Sequence, residues 1–202
     1  MKNFFKHLKT VLKHKWWVFH YCHMFGITWR GIVHDISKFS PTEFFESVKY
    51  YSGTRSPIDA CKEDKGYSMA WLHHKGRNKH HYEYWQDNFD SGGTPLQMPF
   101  KESVEMLCDY LGAARAYMGD SFTYQKEIDW WNNKKSKPLV MHPVNKEFIT
   151  TMLNVLPSLD CGDYRSSRKH CKEIALERYI ACSMTYNVPI VIKEAVEKIR
   201  WR

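Results

Sequence analysis

Hydrophobic residues recur every three or four positions along most of the chain, which is the spacing of one face of an α-helix. The first such segment predicts a helix over residues 4–25, ended by Gly26, and the second predicts a helix over residues 28–36. The most regular pattern covers residues 101–118 and predicts a long helix with one buried face.

Serine, proline and glycine mark further helix boundaries. Ser40 and Pro41 have the arrangement of an N-cap followed by proline at the first helical position, so a third helix begins there. Ser56 and Pro57 predict a short helix that Gly66 closes. Residues 51–57 and 90–95 are predicted loops.

The rest of the chain continues the helical pattern. Residues 67–85 are predicted to be helical on both sides of a break at Gly76. A short helix and a loop are expected over residues 128–143, with further helices at residues 145–156, 168–184 and 189–201.

This pattern contains no internal repeat and no convincing set of alternating strands, so the predicted fold is all-α. We expect a bundle of about six to eight helices. Its expected division is a metal-binding helical domain over residues 1–156 and a C-terminal helical extension over residues 157–202, packed on the same domain.

Composition narrows the class of protein. A chain of 202 residues with 43% hydrophobic residues can bury a core of its own. No apolar run is long enough for a membrane span, and the charged N-terminus does not resemble a signal peptide, so we expect a cytoplasmic protein without a membrane partner. The six cysteines are scattered and form no CxxC pair, which predicts reduced thiols and excludes a cysteine-based zinc ribbon.

The net charge of +8 favours anionic partners. A nucleotide-like small molecule is the expected partner, with nucleic acid as a less favoured one. Ordinary solvated lysines explain the same charge equally well. The sequence does not indicate an oligomeric state.

The histidines carry the candidate chemistry, beginning with His34-Asp35 in the string GIVHDISKFSPTEF. An imidazole and a carboxylate side by side at a helix end can bind one divalent ion together. Taken alone this pair is a weak signal, because a surface histidine beside an aspartate is common.

The string HHKGRNKHHYEYW places His73, His74, His80 and His81 within nine residues. Histidines seven positions apart return to nearly the same face of a helix, and neutral imidazole is the commonest metal ligand. A polar, partly stacked surface helix is the alternative interpretation.

Asp109 is a third candidate because it lies within an apolar helix face, in the string EMLCDYLGAARAY. A buried carboxylate without a partner is costly, so a cation is expected beside it. That cation is either a lysine or arginine side chain, or a metal ion shared with His34 and Asp35.

The order of these residues resembles the H…HD…H…H…D signature of the HD-domain metal-dependent phosphohydrolases, and the resemblance implies that the helical bundle is HD-domain-like. HDISK is also similar to the HDIGK string of the HD-GYP cyclic-dinucleotide phosphodiesterases, although here the paired histidines are closer together and no GYP follows. Carried over to this chain, the resemblance implies a first ligand at His14 or, less favoured, His20. It implies the metal ligands His14, His34, Asp35, His74, His80 and Asp109, around one or two ions of Mn, Fe, Mg or Zn.

The chain also resembles a family of small bacterial and phage proteins that is known as a domain of unknown function. This likeness covers about residues 7–148 and includes the motifs HDxSKfSPxEF, WLHHKxRNxHHYEYW and EMLCDYLGA. It implies no substrate.

Side chains within the same motifs are candidates for catalysis and substrate binding. Asp35 is expected to bridge metals or to take a proton from a metal-activated water. The candidate catalytic residues are Asp35, Lys38, His80 and His81. The candidate substrate-binding residues are Lys75, Arg77, Asn78, Tyr110 and His142. Glu43 and Glu83 are candidate partners for imidazole N–H groups.

The predicted function is therefore metal-dependent hydrolysis of a phosphate ester of a nucleotide or other small phosphorylated compound. A metal-dependent nuclease is one alternative, although the HNH motif requires two short strands before its helix and none is predicted around Trp71. Another is a non-catalytic binding protein stabilised by a structural metal, for which the Trp16-Trp17 and Trp130-Trp131 pairs would suit a contact surface.

Overall fold

The computed structural model describes residues 2–159 and 164–186. In the second of these ranges, side chains are described from residue 168 onward. The described ranges contain nine α-helices. The helices are Lys2–Met24 (α1), Thr28–Val33 (α2), Pro41–Tyr50 (α3), Pro57–Lys65 (α4), Met69–Arg77 (α5), Phe100–Met118 (α6), Tyr124–Ser136 (α7), Pro143–Leu159 (α8) and Tyr164–Thr185 (α9). One-turn 3-10 helices lie at Ile36–Phe39, Tyr82–Tyr84, Phe89–Ser91 and Gly119–Ser121. The strands in the described ranges are the two-residue antiparallel segments Gln86–Asp87 and Thr94–Pro95. The predicted all-α fold is confirmed.

Packing of α1 against α6 forms the centre of the molecule. The buried residues of α1 include His7, Val11, His14 and Val18, which follow one another at intervals of three and four positions and so form one face. Val18 lies against Gly112 of α6, where the missing side chain allows the two helices to approach closely. This contact brings the histidines of α1 to the same side of the bundle as the polar residues of α6.

Helices α8 and α9 complete the core. They pack on each other, and α9 also contacts α1. Buried Cys171, Ala175 and Tyr179 of α9 belong to the same hydrophobic cluster as Phe148 of α8. The predicted boundary after residue 156 falls inside α8, which continues to Leu159.

The predicted break at Gly76 was wrong. Helix α5 runs through Gly76 to Arg77 without interruption, and only the single 3-10 turn Tyr82–Tyr84 follows it. One glycine costs a helix about 1 kcal/mol relative to alanine, which is too little to end a helix that begins at a well-formed cap: Ser68 accepts a hydrogen bond from the N–H of Trp71.

Two other predicted boundaries differ from the structure. The helix expected over residues 28–36 ends at Val33, because Asp35 has a left-handed backbone conformation, with a φ of 52°. The helix expected within residues 128–143 begins earlier, at Tyr124, where the Thr123 side chain accepts the N–H of Lys126. The helix predicted over residues 189–201 lies outside the described residues.

Within the described ranges, we find no helix that combines the length and the apolar character needed to cross a membrane.

Alanine substitutions at two helix glycines should have opposite effects on stability, because Gly112 lies at the close approach of α1 and α6 and Gly76 lies in open space on α5. A Cβ added at Gly112 would overlap Val18 Cγ2 and lie 3.0 Å from the Val18 backbone nitrogen, whereas a Cβ at Gly76 would meet nothing within 4 Å. We expect Gly112→Ala to destabilise the protein by about 1–3 kcal/mol and Gly76→Ala to stabilise it by about 0.5–1 kcal/mol. Urea denaturation of both variants measures this, and equal effects would contradict the packing described.

Candidate metal centre

A tight turn between α2 and α3 carries His34 and Asp35. Asp35 is 3% exposed and has a left-handed backbone conformation, which costs a residue with a side chain roughly 1–2 kcal/mol. Lys15 of α1 stabilises the turn by donating hydrogen bonds to the carbonyl oxygens of Ile32 and His34, at 2.7 and 2.8 Å. The turn directs the Asp35 carboxylate into the bundle.

One group of donor atoms surrounds Asp35 Oδ2. His14 Nε2 lies 3.5 Å from this oxygen and His34 Nε2 lies 3.2 Å from it. Asp109 Oδ1 is 3.2 Å from His14 Nε2 and 3.4 Å from His34 Nε2. We call His14, His34, Asp35 and Asp109 group A; all four residues are buried.

A second group surrounds the other oxygen of the same carboxylate. Asp35 Oδ1 lies 3.3 Å from His74 Nε2 and 3.4 Å from His80 Nε2. His81 Nε2 is 2.9 Å from His74 Nε2. We call Asp35, His74, His80 and His81 group B; the two groups share only Asp35.

Most of these atoms are close together without being hydrogen-bonded. Asp35 Oδ1 and the Nε2 atoms of His14, His34 and His80 are fully buried and have no hydrogen-bond partner, and Asp35 Oδ2 has only the Lys38 ammonium at hydrogen-bond distance. Two ligands that are each about 2.0–2.2 Å from one ion lie at most about 4.4 Å apart, and the pairs described above satisfy that limit. The donor atoms of each group are therefore close enough together to hold a divalent cation.

Outer carboxylates orient three of the imidazoles. His34 Nδ1 donates to Glu105 Oε1 at 2.9 Å, and His80 Nδ1 lies 3.3 Å from the same oxygen. His74 Nδ1 donates to Glu43 Oε2 at 2.7 Å. A histidine that donates its Nδ1 hydrogen presents the lone pair of Nε2 on the opposite side, which is the arrangement found around metal-binding histidines.

Glu105 is in turn fixed by Arg30, whose Nε donates to Glu105 Oε2 at 2.6 Å. Glu105 was not among the residues predicted from the sequence. It precedes Asp109 by four positions in EMLCD, so both carboxylates lie on the same buried face of α6. Two acidic residues one turn apart within an apolar helix face are the signal that would have identified it.

The charges of the cluster keep its acids ionised. Burial alone would raise the pKa of the Asp35 carboxyl, but the charges of His34 and Lys38 hold that pKa well below its usual range. Although burial lowers the pKa of Lys38, Asp35 and Asp109 raise it to about 12. Lys38 Nζ is 2.6 Å from Asp35 Oδ2, so an ammonium group lies beside group A.

The other histidines of the predicted set lie outside the two groups. His20 packs its ring against Trp17 and Tyr21 on α1. His73 donates to Glu43 Oε1 at 2.6 Å. His142 lies before α8, where its Nδ1 accepts the N–H of Val144 at 3.3 Å.

The predicted substrate-binding residues of α5 are spread around its C-terminal end. Asn78 donates to Ser37 Oγ and to the carbonyl oxygen of His74, both at 2.8 Å. Arg77 is exposed and donates to the carbonyl oxygen of His73. Lys75 is half-buried. Their roles in substrate binding stay predictions.

Two cavities meet at the cluster. The smaller cavity, of about 190 Å³, reaches His7, His14 and Lys38. The larger cleft, of about 600 Å³, is lined by Lys62, Lys134 and several aromatic rings, among them the predicted Tyr110. Residues that line both are Ser56, Ile58, Trp71, His81, Asp109, Ala113 and Tyr117.

The wall of the larger cleft combines aromatic rings with lysines. Lys134 Nζ lies 5.1–5.6 Å from the ring centroids of Tyr82, Tyr110 and Trp130. Glu83 also lines this cleft; none of the hydrogen bonds described for the histidines of the two groups involves it.

A family model described as a family of unknown function (DUF5662) matches residues 3–155. The chain belongs to this family. The matched region contains every residue of groups A and B. Comparison with curated proteins and with solved structures gives no match. The expected membership of a family of unknown function is thus confirmed, and the family description adds no activity.

The two groups predict metal binding that depends on their histidines. We expect protein purified without a histidine tag and loaded with Mn²⁺ or Zn²⁺ to hold one or two ions per chain and to unfold at a higher temperature than after dialysis against a chelator. His34→Gln should lose most of the metal, because it removes a ligand from group A. His73→Gln should retain it, since the His73 ring is bonded to Glu43. Metal analysis by mass spectrometry is the measurement; equal metal content in both variants would argue against group A.

Glu127 lines the larger cleft, and its protonation should make the stability of the folded protein depend on pH. It is 3% exposed, and burial raises its pKa to about 8. The folded protein binds this proton more tightly than the unfolded chain, so the associated stability is present at pH 4 and is lost as the pH rises toward 8, by up to about 1.4 kcal/mol per pH unit. We expect Glu127→Gln to lose less stability than wild type between pH 5 and 8 in urea denaturation. Exposed Glu147→Gln is the control and should follow wild type.

Proposed function

We propose that the protein is a metal-dependent phosphohydrolase that acts on a phosphate ester of a nucleotide or another small phosphorylated compound. The observation that supports this most strongly is the sharing of Asp35 by two buried donor groups directly beside Lys38 and two cavities. In the reaction, a water oxygen bonds to phosphorus, the ester P–O bond breaks, and the alcohol leaves with a proton.

The donor set indicates which ions are suitable. Groups A and B together offer five imidazoles and two carboxylates and no thiolate. Imidazole-rich mixed sites suit Zn, Fe and Mn better than Mg, which prefers oxygen ligands. A divalent ion held by either group would supply Lewis-acid activation of water and neutralise charge on the phosphate.

The residues of the chain have separable roles in this proposal. Asp35 faces group A with Oδ2 and group B with Oδ1, so it is the residue that would join two ions. Lys38 provides an ammonium group that binds an oxygen of the phosphate. His80 and His81 complete group B and orient the reacting groups. Glu43 and Glu105 hold the imidazoles in position and do not touch the substrate.

The order of the donors along the chain also supports the proposal. His14, then His34-Asp35, then the paired histidines and finally Asp109 follow the order that resembles the signature of the HD-domain phosphohydrolases. The family model that matches this chain describes a family of unknown function and names no activity. The support that the resemblance gives to the reaction class therefore comes from the types of the residues and from their order.

The cavities favour an enzyme over a protein with a purely structural metal. A structural ion is enclosed by protein ligands, whereas a catalytic ion needs space for water and substrate. His81 and Asp109 belong to the donor groups and also line both cavities. A nuclease of the HNH type is less favoured, because the two short strands that the structure describes follow α5 in the chain instead of preceding it.

We expect the metal-loaded protein to hydrolyse p-nitrophenyl phosphate or a nucleoside monophosphate, and a chelator to abolish this activity. Asp35→Asn should remove the activity, since both donor groups depend on this carboxylate. Lys38→Met should lower kcat by about 10²–10³-fold, the usual cost of removing one charge-stabilising donor, and should leave the metal content unchanged. The measurement is release of product under steady-state conditions.

Exposed Lys9→Met on α1 is the matched control for Lys38→Met and should retain wild-type activity. Turnover of phosphate esters by Asp35→Asn at the wild-type rate would refute the proposal.

A further inference from the structure

His7 is a buried histidine that neither donor group uses. It lies on the same face of α1 as His14, seven residues earlier, which is about 10 Å along the helix. Its side chain packs against the rings of Phe44 and Tyr51. His7 is 7% exposed, its Nδ1 is fully buried without a hydrogen-bond partner, and the residue lines the smaller cavity.

A buried ring nitrogen without a partner costs roughly 1–3 kcal/mol, so a polar ligand in the cavity would be stabilised by bonding to it. Burial and the charge of Lys38 lower the pKa of His7 to about 4. A neutral imidazole can donate one hydrogen bond and accept another. The same cavity is also lined by Thr10, Ser47 and Lys38 and by the carboxylate residues Glu43 and Asp109.

The two cavities differ in what they can hold. The smaller cavity, of about 190 Å³, has room for a phosphate group. It is smaller than the roughly 300–1,000 Å³ typical of pockets for drug-sized ligands, whereas the larger cleft, at about 600 Å³, lies within that range. A phosphate with one bulky substituent therefore matches this pair of cavities better than a phosphate with two.

We propose that the smaller cavity is a terminal phosphoryl subsite in which His7 and Lys38 bind oxygens of a phosphate monoester, and that the esterified group lies in the larger cleft. This inference rests on the proposed function and specifies its substrate class as monoesters. His7 is a specificity-determining residue here, since it binds a phosphate oxygen that does not react. Aromatic rings and lysines in the larger cleft suit an aromatic, hydrogen-bonding group such as a nucleoside.

The test measures binding of inorganic phosphate to the full, metal-loaded chain by isothermal titration calorimetry. His7→Phe keeps an aromatic ring against Phe44 and Tyr51 but removes both ring nitrogens, so it should weaken phosphate binding at least tenfold at unchanged metal content. His7→Gln restores a donor and an acceptor and should recover most of the affinity. His20→Phe, the same change elsewhere on α1, is the control and should bind like wild type.

A second measurement needs no variant. Wild-type protein should hydrolyse a nucleoside monophosphate at least 100-fold more efficiently, in kcat/KM, than bis(p-nitrophenyl) phosphate or a dinucleotide. Comparable turnover of monoester and diester would overturn the subsite even if His7→Phe failed to fold. Equal phosphate binding by wild type and folded His7→Phe would overturn it as well.

The two proposals fail in distinguishable ways. Hydrolysis of diesters with a chelator-sensitive rate would leave the phosphohydrolase standing and remove the monoester subsite. Phosphate binding that depends on His7, without hydrolysis of any phosphate ester, would leave a phosphate-binding site at His7 and remove the enzyme together with the assignment of its substrate.

Discussion

The buried carboxylate of Asp35 is the feature on which the rest of the site depends. Its Oδ1 has no hydrogen-bond partner, and Lys38 Nζ lies 2.6 Å from Oδ2. Desolvating a carboxylate without full compensation costs several kcal/mol. Four imidazole nitrogens from three parts of the chain lie 3.2–3.5 Å from these oxygens, and a cation between them would turn an unfavourable burial into a favourable one.

The fold supplies rigid supports for this carboxylate. Group A joins the start of the chain to α6, because His14 lies on the face of α1 that packs against the helix carrying Asp109. Glu105, one turn before Asp109, orients the ring of His34 and is itself bonded to Arg30 of α2. Donors on helices, with their rings fixed by outer carboxylates, keep the geometry that a metal ion needs more accurately than donors on mobile loops do.

Local patterns in the sequence were sufficient for the class of fold and for most of the donor atoms. The preference for His14 over His20 came from the family resemblance, and His14 lies on the buried face of α1 together with Val11 and Val18. The polar Asp109 within an apolar face indicated a cation. His74 and His81 were predicted to meet because residues seven positions apart share a helix face. Instead, His81 follows the end of α5, and the turn that begins at Asn78 brings it back to His74. Such returns depend on tertiary contacts that helical periodicity does not contain.

The charges around the cluster favour a bound cation. Asp35, Asp109, Glu43 and Glu105 contact its imidazoles, Lys38 is bonded to Asp35, and Arg30 is bonded to both Glu105 and Glu102. With neutral histidines, these five carboxylates and two cations leave three negative charges in a largely buried region, where uncompensated charge is costly. One divalent ion would still leave the set negative, so binding of an anion under the proposed function would need a second ion or the lysines of the larger cleft, Lys62 and Lys134.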